Sequence, residues 1–233
     1  MRQLIRFASL AFMALFAQTT QAANYQFTGP VYTSVTDFTA PCSAGTCANY
    51  TLAMRPTGWF STAAPLGNNL ADFLVTPTAY IFSDGINTIS NLATGARVHQ
   101  FRVWTDGTGA ITASNIAIHA WQDNLASAHA ANDRVNALGA HTAGSSLSNN
   151  LRCDVVSGTD SCPAASVTPD TSRAVYPAGG TWVAVPDIGI SDISAREGNA
   201  GTNNFTFTVS LAMTPAAPVS VDWATANGTA SAG

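Results

Sequence analysis

The sequence predicts an all-β protein: an antiparallel β-sandwich followed by the first strands of a second one. Three observations carry that expectation. Short apolar stretches are separated by Asp-Gly and Thr-Asp-Gly turn signals. Several of those stretches alternate apolar and polar residues with a period of two. Only 9% of residues are charged, so the surface must be built largely of Ser, Thr, Asn, Gln and Gly, a composition that suits an exported β-protein.

The chain opens MRQLIRFASLAFMALFAQTTQAA. Arg2 and Arg6 precede an apolar run from Phe7 to Phe16, and small or polar residues follow at Thr20 and Ala22, which is the layout of a secretory signal peptide over residues 1–22. The run is too short to span a bilayer core of about 30 Å, and no later stretch supplies a transmembrane helix. The mature chain is therefore expected outside the cytoplasm, in the extracellular space or on the surface of a bacterium, with the periplasm as the other compartment. It has no lysine, and its seven arginines face twelve Asp and Glu197, a net charge of −6. That balance argues against a nucleic-acid partner, which needs a basic face.

Residues 23–185 read as a secreted all-β domain. Leu74 to Phe82, the turn Ser83 to Gly85 and Ile86 to Ile89 form one hairpin; His99 to Trp104, the turn Thr105 to Gly109 and the alternating Ile116 and Ile118 form another. Between Asn124 and Leu138, apolar residues at Leu125, Ala128, Ala131, Val135 and Leu138 have helical spacing. Asp123 stands as N-cap and Gly139 as a stop, which predicts one short surface helix. The Ser-, Asn- and Gly-rich region through Pro169 is expected to be loop. Thr181 to Val185 reads as a closing strand, and Pro186 marks the boundary.

Four cysteines fall in two local pairs, and with an export signal their short spacings favour disulfides Cys42–Cys47 and Cys153–Cys162. Neither spacing repeats a zinc knuckle. No nucleophile elbow, His-Glu-x-x-His pair or phosphate loop occurs, so no enzyme activity is expected. His129 and Asp133 would lie one turn apart on the helix as a solvated pair. His119 beside Trp121 offers either a packed sheet edge or a sugar-stacking groove. Asp84 and Asp106 read as turn residues.

Beyond Pro186, Ile188, Ile190 and Ile193 lead to Glu197, the chain's one glutamate. Phe205, Phe207, Val209 and Leu211 then alternate with polar residues, as do Val219, Val221 and Trp223. The stretches ISDISAREGNAGTNNFTFTVSL and PVSVDWATANGTASAG closely resemble the first half of a Calx-beta domain, so residues 186–233 are expected to be an incomplete member of that family. The resemblance implies an immunoglobulin-like sandwich, a calcium cofactor and Glu197 as a calcium ligand. The carboxylate suits a hard oxygen-seeking cation; equally, it serves as a hydrogen-bond acceptor in a turn. The family's remaining ligands would lie past Gly233, so the chain reads as a fragment of a longer protein. Asp222 points away from that end, and Asn227 suits the turn itself.

A fainter resemblance, carried by APLGNNLADFLVTPTAYIFSDGINTISN and FRVWTDGTGAITASNIAIHAW, is to exported bacterial surface proteins with a C-terminal Pro-Glu-Pro sorting signal. Together these imply a non-enzymatic surface protein acting in adhesion or surface structure. Its partner would be a cell-surface or matrix component, polysaccharide among them. The alternative is a secreted carbohydrate-binding or hydrolytic protein that carries the Calx-beta module as a spacer.

Overall fold

The computed structural model describes residues 22–38, 44–186, 188–194, 204, 206–211 and 220–222. Residues 1–21 of the signal segment, Cys42, Glu197, Phe205, Val219, Trp223 and Asn227 thus lie outside the described residues, and so do the expectations that rest on them. The strands run, in order, β1 (Ala23–Thr28), β2 (Ser34–Thr36), β3 (Thr57–Thr62), β4 (Phe73–Leu74), β5 (Ala79–Ser83), β6 (Thr88–Ser90), β7 (Ala96–Thr105), β8 (Ile111–Trp121), β9 (Arg134–His141), β10 (Ser145–Val155), β11 (Ala164–Ser166), β12 (Ser172–Tyr176), β13 (Thr181–Val185), β14 (Ile188–Ile190) and β15 (Val209–Leu211). No helix occurs among the described residues.

Two antiparallel sheets make the sandwich. One has the order β13-β1-β3-β5-β6; the other runs β2-β12-β10-β9-β8-β7-β4, with β11 also on β10. Tyr25, Phe27, Phe60 and Phe82 from the first sheet meet Phe101, Val103, Ile116, Ile118 and Leu138 from the second in one buried core. Phe60 packs edge-on to Phe101 at 5.1 Å between ring centroids, the favoured geometry for two aromatic quadrupoles. Burial alternates along β7 and β8 as their period-two pattern requires.

Both expected hairpins form, but the leading arm of the first is shorter than the expected Leu74–Phe82: it begins at Ala79, and Leu74 lies in β4 against β7 in the other sheet. β5 pairs with β6 across the Ser83–Gly85 turn, and β7 with β8 across the Thr105–Gly109 turn. Asp84 and Asp106 do hold these turns: Asp84 Oδ1 accepts the N–H of Ile86 and Asn87, and Asp106 Oδ1 those of Thr108 and Ala110. The strand Thr181–Val185 closes against the first strand, with Asn24 opposite Val185.

The expected helix over 124–138 does not form. Its second half is β9, paired along its length with β8 in the register Trp121↔Val135 to Asn115↔His141. Val135 and Leu138 sit three apart, so in a strand they point to opposite faces; Val135 joins the outer cluster with Trp121 and Leu151, and Leu138 the inner core. The first half is broken by left-handed backbone at Asn124 (φ 56°) and Asn132 (φ 82°). Asp123 Oδ1 accepts the Leu125 N–H in a local turn, and Gly139 is no stop. It lies inside β9 where a Cβ would fall 1.9 Å from the Ile116 carbonyl oxygen, so only glycine lets the two strands approach.

The region expected to be loop through Pro169 contains the 11-residue β10 and also β11. Leu147, Leu151 and Cys153 are buried along it, and the register against β9 shifts between Ser148 and Leu151. That bulge turns Asn149 and Asn150 inward, which compositional reading of a polar run does not reveal.

Candidate functional site

The outer face of the larger sheet carries a charged cluster built on Trp121. Its indole stacks on His129 at 4.1 Å and 3° between planes, and its Nε1–H donates to the Asp160 carbonyl at 2.9 Å. His129 places Nδ1 2.8 Å from Asp160 Oδ2 and Nε2 3.0 Å from Asp123 Oδ1, and its side chain is 1% exposed. Arg97, from β7, pairs with Asp160 Oδ2 at 2.6 Å and donates through Nε to the Asp160 carbonyl. Asp133 turns away and accepts the Ala130 N–H, so the sequence-predicted His129–Asp133 pair is replaced by carboxylates six residues before and 31 residues after His129.

Burial alone would lower the His129 pKa, but hydrogen bonds and charge from Asp123 and Asp160 raise it above the usual histidine value. Asp160 is held down to about 2, first by the His129 backbone N–H and then by the His129 and Arg97 side chains, against the opposing effect of burial. Both imidazole nitrogens face carboxylates, which is the arrangement of a charged structural anchor; a general base needs a free lone pair. His119 also packs: its Nδ1–H donates to the Cys162 carbonyl at 2.9 Å and its ring stacks on His99, and burial lowers its pKa. Trp121 is 3% exposed, so of the two readings of the His119–Trp121 pair, the packed one holds.

The disulfide Cys153–Cys162 forms, with its Cα atoms 5.8 Å apart. It fastens the 156–163 connection, which brings Asp160 over Trp121, to the end of β10. Cys47 is also disulfide-bonded.

A second constellation lies between the sheets at one end of the sandwich, where the core changes from apolar to amide. Asp84, fully buried, accepts from Tyr50 Oη (2.8 Å) and Asn87 Nδ2 (2.9 Å) through Oδ2, while Tyr32 Oη donates to its carbonyl at 2.7 Å. Burial, with the Asp84 charge, pushes both tyrosines far above their usual range. Gln122 Nε2 donates to Asn136 Oδ1 at 2.8 Å, and that same oxygen accepts the Asn150 N–H at 3.0 Å. Residues 44–46, between Cys42 and Cys47, are held by this network: Asn149 Nδ2 donates to the Thr46 carbonyl (2.6 Å), Asn150 Nδ2 to that of Ala44 (2.8 Å), and Thr46 N–H to Gln122 Oε1 (2.8 Å). The backbone at Gly45 is left-handed (φ 70°), and a Cβ there would crowd the Asn150 and Gln122 side-chain oxygens, so glycine suits the chain's seat in this network.

A cleft of about 280 Å³ opens beside these amides, lined by Asn87, Gln122 and Asn136 together with Ile89, Ala93, Trp121 and Leu138. Sequence reasoning missed this site, because Asn149 and Asn150 meet partners 103 and 106 residues away.

The third feature is the strand pair after Pro186. β14 and β15 pair antiparallel with Ile188 opposite Leu211 and Ile190 opposite Val209. Residues directly opposite share a face, so all four apolar side chains lie on one side, with Gly189 and Ser210 on the other. Ile190, Phe207, Val209 and Val221 are each more than half exposed and line a shared groove. Among the described residues, no group of three or more His, Cys, Asp or Glu is placed to hold a metal ion, and no helix is long and apolar enough to cross a membrane. In comparisons with known proteins, the chain matches no family model, no curated protein and no solved structure.

Proposed function

We propose that this chain belongs to an exported, non-enzymatic protein of the bacterial surface or extracellular space, in which a β-sandwich is joined to a Calx-beta-type calcium module serving adhesion or surface structure. One observation carries the reading: the β14–β15 register gathers Ile188, Ile190, Val209 and Leu211 on a single face, exposed among the described residues, as in the half of a sandwich that the Glu197-containing motif resembles. The sandwich of residues 23–185 supports the non-enzymatic part, since its most polar side chains are committed to one another. His129 has no free nitrogen, and the Asp84 carboxylate is saturated with donors. The test is antibody labelling of residues 23–185 on intact and permeabilised cells of the producing bacterium, with attachment scored after deletion of the gene. Labelling of intact cells and reduced attachment are expected; signal confined to permeabilised cytoplasm would overturn the reading.

The alternative, a carbohydrate-binding or hydrolytic protein with the Calx-beta module as spacer, is favoured by a different observation, the amide-lined cleft. Binding to a glycan array with calcium-independent retention would favour it over the first.

A further inference from the structure

We infer that the cleft at the amide end of the sandwich is a binding site for a neutral, hydroxylated ligand the size of a single sugar ring. Its lining combines the two kinds of surface such a molecule needs: apolar groups at Ile89, Ala93, Leu138 and Trp121, and amides at Asn87, Gln122 and Asn136. Among the described residues no ionisable side chain lines it, which disfavours phosphate, carboxylate and ammonium ligands: each would enter a partly desolvated site without a counter-charge. The volume of about 280 Å³ falls just below the ~300 to 1,000 Å³ of drug-sized pockets, which limits the occupant to a small molecule.

The polar groups that face the cleft have their directions fixed. Asn136 Oδ1 accepts a backbone N–H from Asn150 and a side-chain N–H from Gln122, and a backbone donor admits only an oxygen there. The Nδ2 group of Asn136 therefore points the other way, into the cleft. Asn136 is 8% exposed, and no described residue accepts from that Nδ2. It is not among the buried unpaired atoms, so it stays open to solvent and within reach of a ligand's acceptor. Asn87 complements it: its Nδ2 is spent on Asp84 and Asn149, which leaves Oδ1 as an acceptor with no described donor. One fixed donor and one fixed acceptor in a partly apolar lining match adjacent hydroxyls on a ring, each of which donates and accepts. The network behind them, anchored on buried Asp84 and on the Asn149–Asn150 bulge, holds both amides without help from the ligand.

This inference is independent of the calcium module, and its test is run in the presence of a chelator so that the two fail separately. The full chain is titrated with glucose, galactose, mannose and N-acetylglucosamine, with gluconate as the charged control, and followed by saturation-transfer NMR and tryptophan fluorescence. At least one neutral sugar is expected to bind in the millimolar range, and gluconate is not. Asn136→Asp keeps both accepted hydrogen bonds and deletes the donor; Ala93→Phe fills the cleft without touching a polar group. Each is expected to weaken binding at least tenfold, about 1.4 kcal/mol, while circular dichroism shows the sandwich folded. No binding by any neutral sugar to the wild type, a cleft filled by water only, overturns the inference. Binding that survives both substitutions also overturns it, because it places the sugar elsewhere, such as beside exposed Trp59.

Discussion

Replacing Asp160 with alanine removes the acceptor on which the outer-face cluster converges. The carboxylate takes three charge-assisted hydrogen bonds, from Arg97 Nη2 at 2.6 Å, His129 Nδ1 at 2.8 Å and the His129 N–H at 3.0 Å. Bonds of this kind contribute roughly 1.5–3 kcal/mol each, but they are not additive here. Arg97 keeps the carbonyls of Thr94, Ala96, Ala126 and Asp160 itself, and His129 keeps Asp123. The loss is therefore smaller than the roughly 3–5 kcal/mol of a buried pair broken outright, and about 2–3 kcal/mol is expected. In a chain of this size that corresponds to a fall in Tm of roughly 5–10 °C. The assay is guanidinium and thermal unfolding at about pH 5.5, where a histidine of raised pKa is charged. Asp160→Asn, which keeps an acceptor oxygen, should recover part of the loss. Unfolding free energies of Asp160→Ala and wild type within about 0.5 kcal/mol of each other, the range of inert surface changes, would refute the assignment of this cluster as an anchor.

Other outcomes follow from the same geometry. The His129 contribution is fully present below the ordinary histidine value of about 6.5 and is lost as pH rises through its raised folded pKa. The stability gap between wild type and His129→Gln should accordingly shrink on the alkaline side in unfolding titrations. Burial lowers the pKa of His119 and His141, so their effect runs the other way. Stability should fall as pH drops below about 6.5 toward their folded values, and the His119→Gln variant should flatten that acid limb. Removing the Cys153–Cys162 bridge, with a sequence separation of 9, should destabilise by roughly 2–3 kcal/mol on the loop-entropy account. Mass spectrometry with and without reductant confirms the bridge, and calorimetry of Cys153→Ala/Cys162→Ala reads the change. Gly139→Ala places a methyl 1.9 Å from the Ile116 carbonyl oxygen, between two backbones that have no side chain to yield. A loss of about 3 kcal/mol, at the upper end of overpacking costs, is expected by the same unfolding assay.

Legibility in the sequence tracked how local each determinant is. The hairpins at Ser83–Gly85 and Thr105–Gly109 were readable because turn chemistry and alternating apolar residues lie within a few positions of each other. The strand Thr181–Val185 was readable for the same reason. The 124–138 segment is ambiguous in sequence because Val135 and Leu138 satisfy a helical spacing and a two-faced central strand equally well. The choice between them is made by β8 and β10 on either side. Gly139 carried a usable signal in hindsight, since a glycine between Leu138 and Ala140 is also what close strand approach needs. The cysteine pair at 153 and 162 was legible from spacing. The amide site was not, because a run such as SSLSNNL looks like loop until its partners at Ala44, Thr46, Gln122 and Asn136 are in place. The Asp160 anchor was hidden in the same way, since its meaning depends on the fold bringing the 156–163 connection across Trp121.

The most direct test of the proposed function is calcium titration of a chain continued through a complete second sandwich, read by calorimetry and thermal melting. Saturable binding with a rise in Tm at millimolar calcium, abolished in Glu197→Ala, is the predicted result. Identical melting with and without calcium in the wild type, or binding that Glu197→Ala leaves intact, would contradict the assignment of Glu197 and of the module's calcium dependence.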